Sequence, residues 1–427
     1  MKASILVLNL AVLLFISYRI WNLEKSSLRK FFWPALVLKL AGGICLGLVY
    51  SYYYSTGDTF NYFHDGVKLA SLARTDAASY FGFLWTGDES FPISSELIYK
   101  QPRAMFLSKV TSLFGLLTAD NYWMIALYFS AISFFSAWSL VQKINRLFEG
   151  VQPAAILSFL FFPSVVFWSA GVIKESLAMA ALFFLSLIFL KVWKREKLHL
   201  TEWLLMLPSL WLLWSLKYYY LAIFLPVVFT TLTLQYLLTK FTLKRLTSKV
   251  LLWFLIFTIP ILLVSLLHPN FYYERFMEVV ISSNYEFQAI SNPDDLIHYD
   301  ALNATLLSLL KNSPWALFSG LFRPFITEVS TAMQSFSALE NLVLLTLTAG
   351  ALTQIKKLVN SRHRLLLFAI VTYSILLCIF LALSTPNFGT LSRYRVGFLP
   401  YFVFLLTIEN PVLNKMMTLK IFRNLVR

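Results

Sequence analysis

The sequence predicts an all-α, polytopic transmembrane protein, and three observations carry the prediction. Apolar residues make up 58% of the 427-residue chain and charged residues only 13%, against about 25% charged in a soluble globular chain. Mean hydropathy is +0.69. Apolar runs of roughly 18–20 residues recur from end to end, and each suffices to cross a hydrocarbon core about 30 Å thick.

Taken in order, the candidate spans are 3–20, 31–50, 122–141, 153–170, 176–193, 203–216, 218–238, 250–267, 338–355, 363–383 and 396–409, about eleven in all. The first run lacks a small-residue cleavage site and is followed by Arg19, Lys25, Arg29 and Lys30, so it reads as a retained helix rather than a signal peptide. Cys45 and Cys378 both lie inside apolar runs and read as small core hydrophobes. The absence of heptads, solenoid repeats and low-complexity tracts leaves residues 1–427 as one integral membrane domain.

The loops set the orientation. One side carries Arg19, Lys25, Arg29 and Lys30; Lys143 and Arg146; Lys191, Lys194, Arg195 and Lys197; Lys240, Lys244, Arg245 and Lys249; Lys356, Lys357, Arg362 and Arg364; and the tail Lys415, Lys420, Arg423 and Arg427. That is 22 of the 36 basic residues, while the other side holds 16 of the 21 acids. The positive-inside rule makes the basic side cytoplasmic, with the N-terminus out and the C-terminus in. The net charge of +15 is then cytoplasmic-loop lysine and arginine facing anionic lipid, and nucleic acid is not expected as a partner.

Two outer loops are long, 51–121 and 268–337, and long ordered loops tend to carry function. Within the first, "AMFLSKVTSLFGLLT" (104–118) is apolar but short and contains Lys109. It reads as an amphipathic helix on the outer surface, because a further span there would break the alternation of the loops. Ahead of it, "YSTGDTFNYFHDG" (54–66) places Asp58, His64 and Asp65 among aromatics at the outer end of the second span. An aromatic belt accounts for Tyr52, Tyr53 and Tyr54, and a helix-ending turn after Gly57 is the plain reading of Asp58.

Further polar residues gather at outer span ends. They are Arg103 in the first loop, Lys174 and Glu175 in "FPSVVFWSAGVIKES", Lys217 in a hairpin between two spans, Arg323, Glu328 and Glu340 in "LFRPFITEVSTAMQSFSALEN", and Arg393 and Arg395 in "STPNFGTLSRYRVGFLP". Singly, each is a snorkelling cation or a loop charge. Together they place cations and a few carboxylates at one membrane face, where each costs about 2–3 kcal/mol at membrane depth. A phosphate or pyrophosphate on a lipid headgroup would supply the reason, since arginine suits bidentate phosphate binding and lysine a point-charge contact. Deep within the apolar runs Lys39 is the one clear charge. That scarcity argues against an ion-coupled transporter, which keeps ionisable groups near the midplane. There is no HExxH, paired CxxC, GxxxxGK[ST] or GxSxG. No metal site is expected, and Asp294–Asp295 is the pair that could touch a divalent cation, against a plain polar turn after Pro293.

This layout resembles the GT-C superfamily of membrane glycosyltransferases. The likeness rests on the acidic "GDTFNYFHDG" soon after a span, the surface-helix stretch "QPRAMFLSKVTSLFG", the Pro-interrupted pair "LFFPSVVFWSAGVIKESLAMAALFF" and the late "LSRYRVGFLP". It departs from the family in an extra first helix and in lacking a DxD or WWDxG signature. The resemblance implies glycosyl transfer from a polyprenyl-phosphate-linked sugar to a glycan, lipid or protein acceptor, at the outer face of a bacterial inner membrane. Asp58 would be the catalytic base. Arg393, Arg395 and Lys174, with Lys217 or Arg323, would hold the lipid phosphate, while Tyr62, Trp85 and Trp168 could stack on sugar faces. Asp65, His64, Arg103, Glu175 and Glu328 complete the expected substrate-binding set. The alternatives are a polysaccharide polymerase or ligase acting on polyprenyl-pyrophosphate glycans, in which arginines dominate, and a lipid-linked substrate flippase.

Overall fold

The first helix turns a soluble protein's polarity inside out. In α1 (Lys2–Leu23) the buried positions are Asn9, Leu13 and Ser17, a stripe at i, i+4 and i+8, while Val7, Leu8, Leu14 and Phe15 face outward. That is the arrangement of a helix whose solvent is lipid. Asn9 anchors it: its Nδ2 donates to the Leu117 carbonyl at 3.1 Å, and the Tyr128 hydroxyl donates to its Oδ1 at 2.7 Å. The computed structural model describes residues 2–54, 57–87, 90–241, 245–267 and 272–418. Of the positions quoted above, Ser55, Thr56, Lys244, Lys420, Arg423 and Arg427 lie outside the described residues.

The described residues are helical, with no strand; a single isolated bridge joins Leu296 to Asn387. Contacts divide the chain into two compact units, one made of Met1–Glu149 and Phe159–Tyr218, the other of Gly150–Ser158 and Tyr219–Arg427.

In the first unit α1 is followed by α2 (Arg29–Tyr52), α3 (Asp58–Thr75), α4 (Ala77–Thr86), α5 (Ile93–Glu96), α6 (Pro102–Thr118) and α7 (Tyr122–Leu147). Helix α2 packs on α7 at very short range. A Cβ added at Gly43 would sit 2.3 Å from Ser130 Oγ, so glycine is what permits the approach. The stretch 51–121 is thus not an open loop. Its helices close over a core of Leu69, Tyr80, Phe83, Ile93, Leu97 and Met105. Helix α6 turns small and hydroxyl residues inward (Ala104, Ser108, Thr111, Ser112, Gly115, Thr118) and packs along α3, while Leu113, Leu116 and Leu117 point out.

The short helices α8 (Gln152–Ile156) and α9 (Pro163–Trp168) flank a π-helical turn, Leu157–Phe161. They occupy the expected span 153–170. Pro163 cannot donate into a continuing ladder, so the run is broken. Helix α10 (Lys174–Trp193) packs on α7. The 41-residue α11 (Leu200–Lys240) breaks at Lys217, whose φ of −145° and ψ of 65° are not helical. Unbroken, a helix of that length would run about 60 Å, twice a hydrocarbon core.

Beyond α11 come α12 (Leu246–Leu267), α13 (Tyr273–Ile290), α14 (Leu306–Phe322), α15 (Ala332–Leu352), α16 (Ile355–Asn360), α17 (Arg364–Ser384), α18 (Phe388–Tyr394), α19 (Leu399–Thr407) and α20 (Pro411–Thr418). Helix α17 packs against α13, α14 and α19, and α15 against α14 and α19.

Seven of the described helices are long and apolar enough to cross a membrane: α1, α2, α7, α10, α11, α15 and α17. The sequence suggests about eleven spans. The difference lies in 153–170, which is broken; in 203–216 and 218–238, which share α11; in 250–267, where the apolar helical window is short; and in 396–409, where α19 has only nine residues.

Candidate functional site

Most of the candidate residues in the first unit lie in three short sets of side-chain contacts, which follow one another along the chain at Lys174–Glu175 and Lys217–Tyr218. The first set starts where α2 gives way to α3. Gly57, at φ −145° and ψ 130°, precedes the helix in ordinary extended backbone. Glycine is therefore not needed there for a special turn, contrary to the expectation. It is needed for space, since a Cβ would meet the Tyr50 ring at 2.4 Å. Asp58 follows as the acidic residue in the first turn of α3, where the helix dipole favours a negative charge. It opens the helix rather than ending one.

The Tyr99 hydroxyl donates to Asp58 Oδ1 at 2.6 Å. The Tyr99 ring stacks on Tyr62, with centroids 4.6 Å apart and planes 26° apart. Burial, reinforced by the hydrogen bond and charge of Asp58, pushes the Tyr99 phenol well above its ordinary range. Lys174, the first residue of α10, places Nζ 5.5 Å from the Tyr62 ring centroid. Its neighbour Glu175 forms an ion pair with Lys217 at the break in α11, 2.7 Å apart, with 0% and 4% of the two side chains exposed. Next along the chain, Tyr218 carries the Arg103 guanidinium 4.1 Å from its ring centroid. Arg103 is exposed on the first turn of α6.

Asp65, expected in the substrate-binding set, is instead engaged by backbone N–H groups. It is 0% exposed in the middle of α3. Its Oδ1 accepts the Ile98 N–H at 2.8 Å and its Oδ2 the Tyr99 N–H at 3.0 Å. His64 is exposed and its ring lies against Phe63. Of the aromatics expected to stack on sugar, Tyr62 is 1% exposed and covered by Tyr99, and Trp168 is buried, leaving Trp85, which is 91% exposed on α4. Lys39, the charge within α2, is buried and donates to Ser169 Oγ and the Val166 carbonyl at the end of α9.

The candidate residues of the second unit are tied to partners of their own. Arg395, 1% exposed, donates from Nη1 to Asn341 Oδ1 at 2.6 Å and from Nη2 to Glu340 Oε2 at 3.3 Å. Arg393 is buried in the last turn of α18, and Arg395 opens the 3-10 turn that follows. Arg323 donates from Nε to Glu328 Oε1 at 2.9 Å, with its guanidinium 4.9 Å from the Phe388 ring centroid. Burial raises the Glu328 pKa, but the Arg323 hydrogen bond, the Phe325 N–H and the Arg323 charge outweigh it and hold the carboxyl below its usual range. Asp295 accepts from Ser330 Oγ and Gln334 Nε2, both at 2.7 Å, while Asp294 is exposed. Among the described residues, no three His, Cys, Asp or Glu side chains gather as a metal site would require.

Tyr99 is absent from the expected residues although it touches the principal one. It lies 41 positions from Asp58 in "LIYKQPR", and no local spacing links the two. Comparison with family models, curated proteins and solved structures finds no match for this chain.

Proposed function

We propose that the chain is a membrane glycosyltransferase that moves a sugar from a polyprenyl-phosphate-linked donor to an acceptor hydroxyl at the outer face of the membrane. The observation that carries the reading is the contact run from Asp58 through Tyr99 and Tyr62 to Lys174, with Arg103 held against Tyr218 in the same unit. One unit built on apolar helices thus holds a half-buried carboxylate, a lysine on the same contact run and an exposed arginine. In this reading Asp58 takes the proton from the acceptor hydroxyl as its oxygen bonds to the anomeric carbon. The bond from that carbon to the phosphate oxygen breaks, and Lys174 and Arg103 meet the charge left on the lipid phosphate. Lys217, Arg323 and Arg395 leave the phosphate-binding set, because each is committed to a carboxylate. Those commitments also weaken the arginine-centred polymerase or ligase reading.

The topology belongs to the same proposal: about eleven crossings, N-terminus out, C-terminus in, in a bacterial inner membrane, with residues 58–118 on the outer face. The basic loops support it. A membrane-impermeant thiol reagent tests the orientation at a cysteine replacing Lys357; labelling from outside would overturn it and the site with it.

Asp58→Asn tests the chemistry. It keeps the size and removes the base, so the variant should fold, bind the lipid donor and lose transfer by at least about a hundredfold. Near-normal transfer would refute the mechanism and favour the arginine-centred polymerase or ligase reading.

A further inference from the structure

We infer that Tyr99 and Asp65 are positioning residues that set the aim of the Asp58 carboxylate, the first directly and the second through the backbone of the segment that carries Tyr99. The inference rests on the glycosyltransferase reading only for its kinetic consequence; the geometry stands by itself.

Three constraints converge on one phenol. The Tyr99 hydroxyl donates to Asp58 Oδ1 at 2.6 Å, inside the short range of a hydrogen bond to a carboxylate. The ring is stacked on Tyr62, which is itself buried, so it is not at liberty to swing. The main chain at 98–99 is held from below by Asp65, whose two oxygens each accept one backbone N–H. Asp58 and Asp65 stand seven residues apart on α3, two turns along the same face. The segment from Leu97 to Lys100, which is outside any helix, is therefore fastened to α3 at two heights. The lower carboxylate holds the backbone, and the tyrosine on that backbone holds the upper carboxylate.

This explains why a fully buried carboxylate is tolerated at Asp65. Burying one without partners is expensive, and each N–H it accepts offsets part of that cost. It also explains a tyrosine at 99. Phenylalanine would keep the stack on Tyr62 and the burial but would leave the Asp58 carboxylate without this donor. A catalytic base held by a fixed donor is pre-organised, and misplacement by about 1 Å can cost a hundredfold.

The experiment uses the full-length protein in detergent or nanodiscs, with Tyr99→Phe and Asp65→Asn. Asparagine at 65 turns an amide N–H toward one of the two backbone N–H groups, so the 97–100 segment should loosen. Carbodiimide coupling of an amine to Asp58, followed by mass spectrometry, reads the carboxylate directly and needs no transfer activity. The coupling rate at Asp58 should rise at least about threefold in both variants once the donor is lost or displaced. Coupling at Asp120, which is paired with Arg74, should not change. In the transfer assay Tyr99→Phe should lower kcat about tenfold and leave the KM for the lipid donor unchanged, as removal of a transition-state contact requires.

An unchanged coupling rate in both variants would overturn the inference. A rise in Tyr99→Phe alone would remove Asp65 from it, and faster coupling with unaltered kcat would overturn the claim that the aim matters to the reaction. Absence of transfer in the wild-type protein would sink the glycosyltransferase reading, and the coupling rates would then decide this inference by themselves. Should Asp65→Asn not fold, Tyr99→Phe carries the test, since it keeps the ring and its packing.

Discussion

The candidate cations of the two units are held in different ways. In the first, Arg103 lies on the face of Tyr218 and Lys174 above the ring of Tyr62. In the second, Arg395 is bound to Asn341 and Glu340, and Arg323 to Glu328. A guanidinium stacked on a ring keeps its in-plane N–H groups directed sideways, where an anion can meet them. One that donates to a carboxylate has those groups committed and its charge offset. An outer-face arginine is therefore weak evidence for phosphate binding until its neighbours are known. The first unit holds an instance of the second kind as well, the Glu175–Lys217 pair, so the distinction follows burial and partner rather than position in the chain.

The largest effect that sharpens this contrast should come from Lys217→Met. It leaves the Glu175 charge buried beside an apolar side chain, and losing one partner of such a pair costs about 3–5 kcal/mol. Thermal unfolding in detergent reads it. Glu175→Leu combined with Lys217→Met should recover most of the loss, because the desolvation of both charges is removed together. Wild-type stability in the single variant would show that the pair is not what holds the break in α11.

A smaller effect separates the stacked arginine from the paired ones. Arg103→Ala should weaken binding of the polyprenyl-phosphate donor about tenfold, the scale of one charge-assisted contact, while changing the melting temperature little, since the side chain is exposed. Smallest is Arg323→Lys, which keeps the charge and loses the planar fork on Glu328. It should lower stability by roughly 1 kcal/mol and leave donor affinity unchanged. The reverse pattern, with affinity lost at Arg323 and stability lost at Arg103, would break the comparison.

Some of the site was legible in the chain. Asp58 stands out as an acid at the end of an apolar run, but its place on the first turn of a helix does not follow from the sequence, whose plain reading is a turn that ends one. The helix at 102–118 is visible from its length and its lone lysine. Its buried face is not. A helix that turns serines and threonines inward beside Leu107, and Leu113, Leu116 and Leu117 outward, cannot be recognised by a rule that equates apolar with buried, and in a membrane protein that rule inverts. Lys217 was expected at the turn of a hairpin and sits instead at a non-helical residue inside one long helical run, because a single residue off the helical dihedrals leaves no mark in hydropathy.

By itself the sequence determined the class: an all-helical chain, because apolar runs with so few charges can satisfy their backbone groups in lipid only as helices. It also determined which residues are candidates, because charges at the ends of such runs are rare and costly. Which candidates meet was decided by the tertiary structure. Tyr99 reaches Asp58 across 41 positions, Lys217 reaches Glu175 across 42, and Arg395 reaches Asn341 across 54. Hydropathy and helical period describe each helix separately, whereas an ion pair or a donated hydrogen bond depends on how helices far apart in the chain pack.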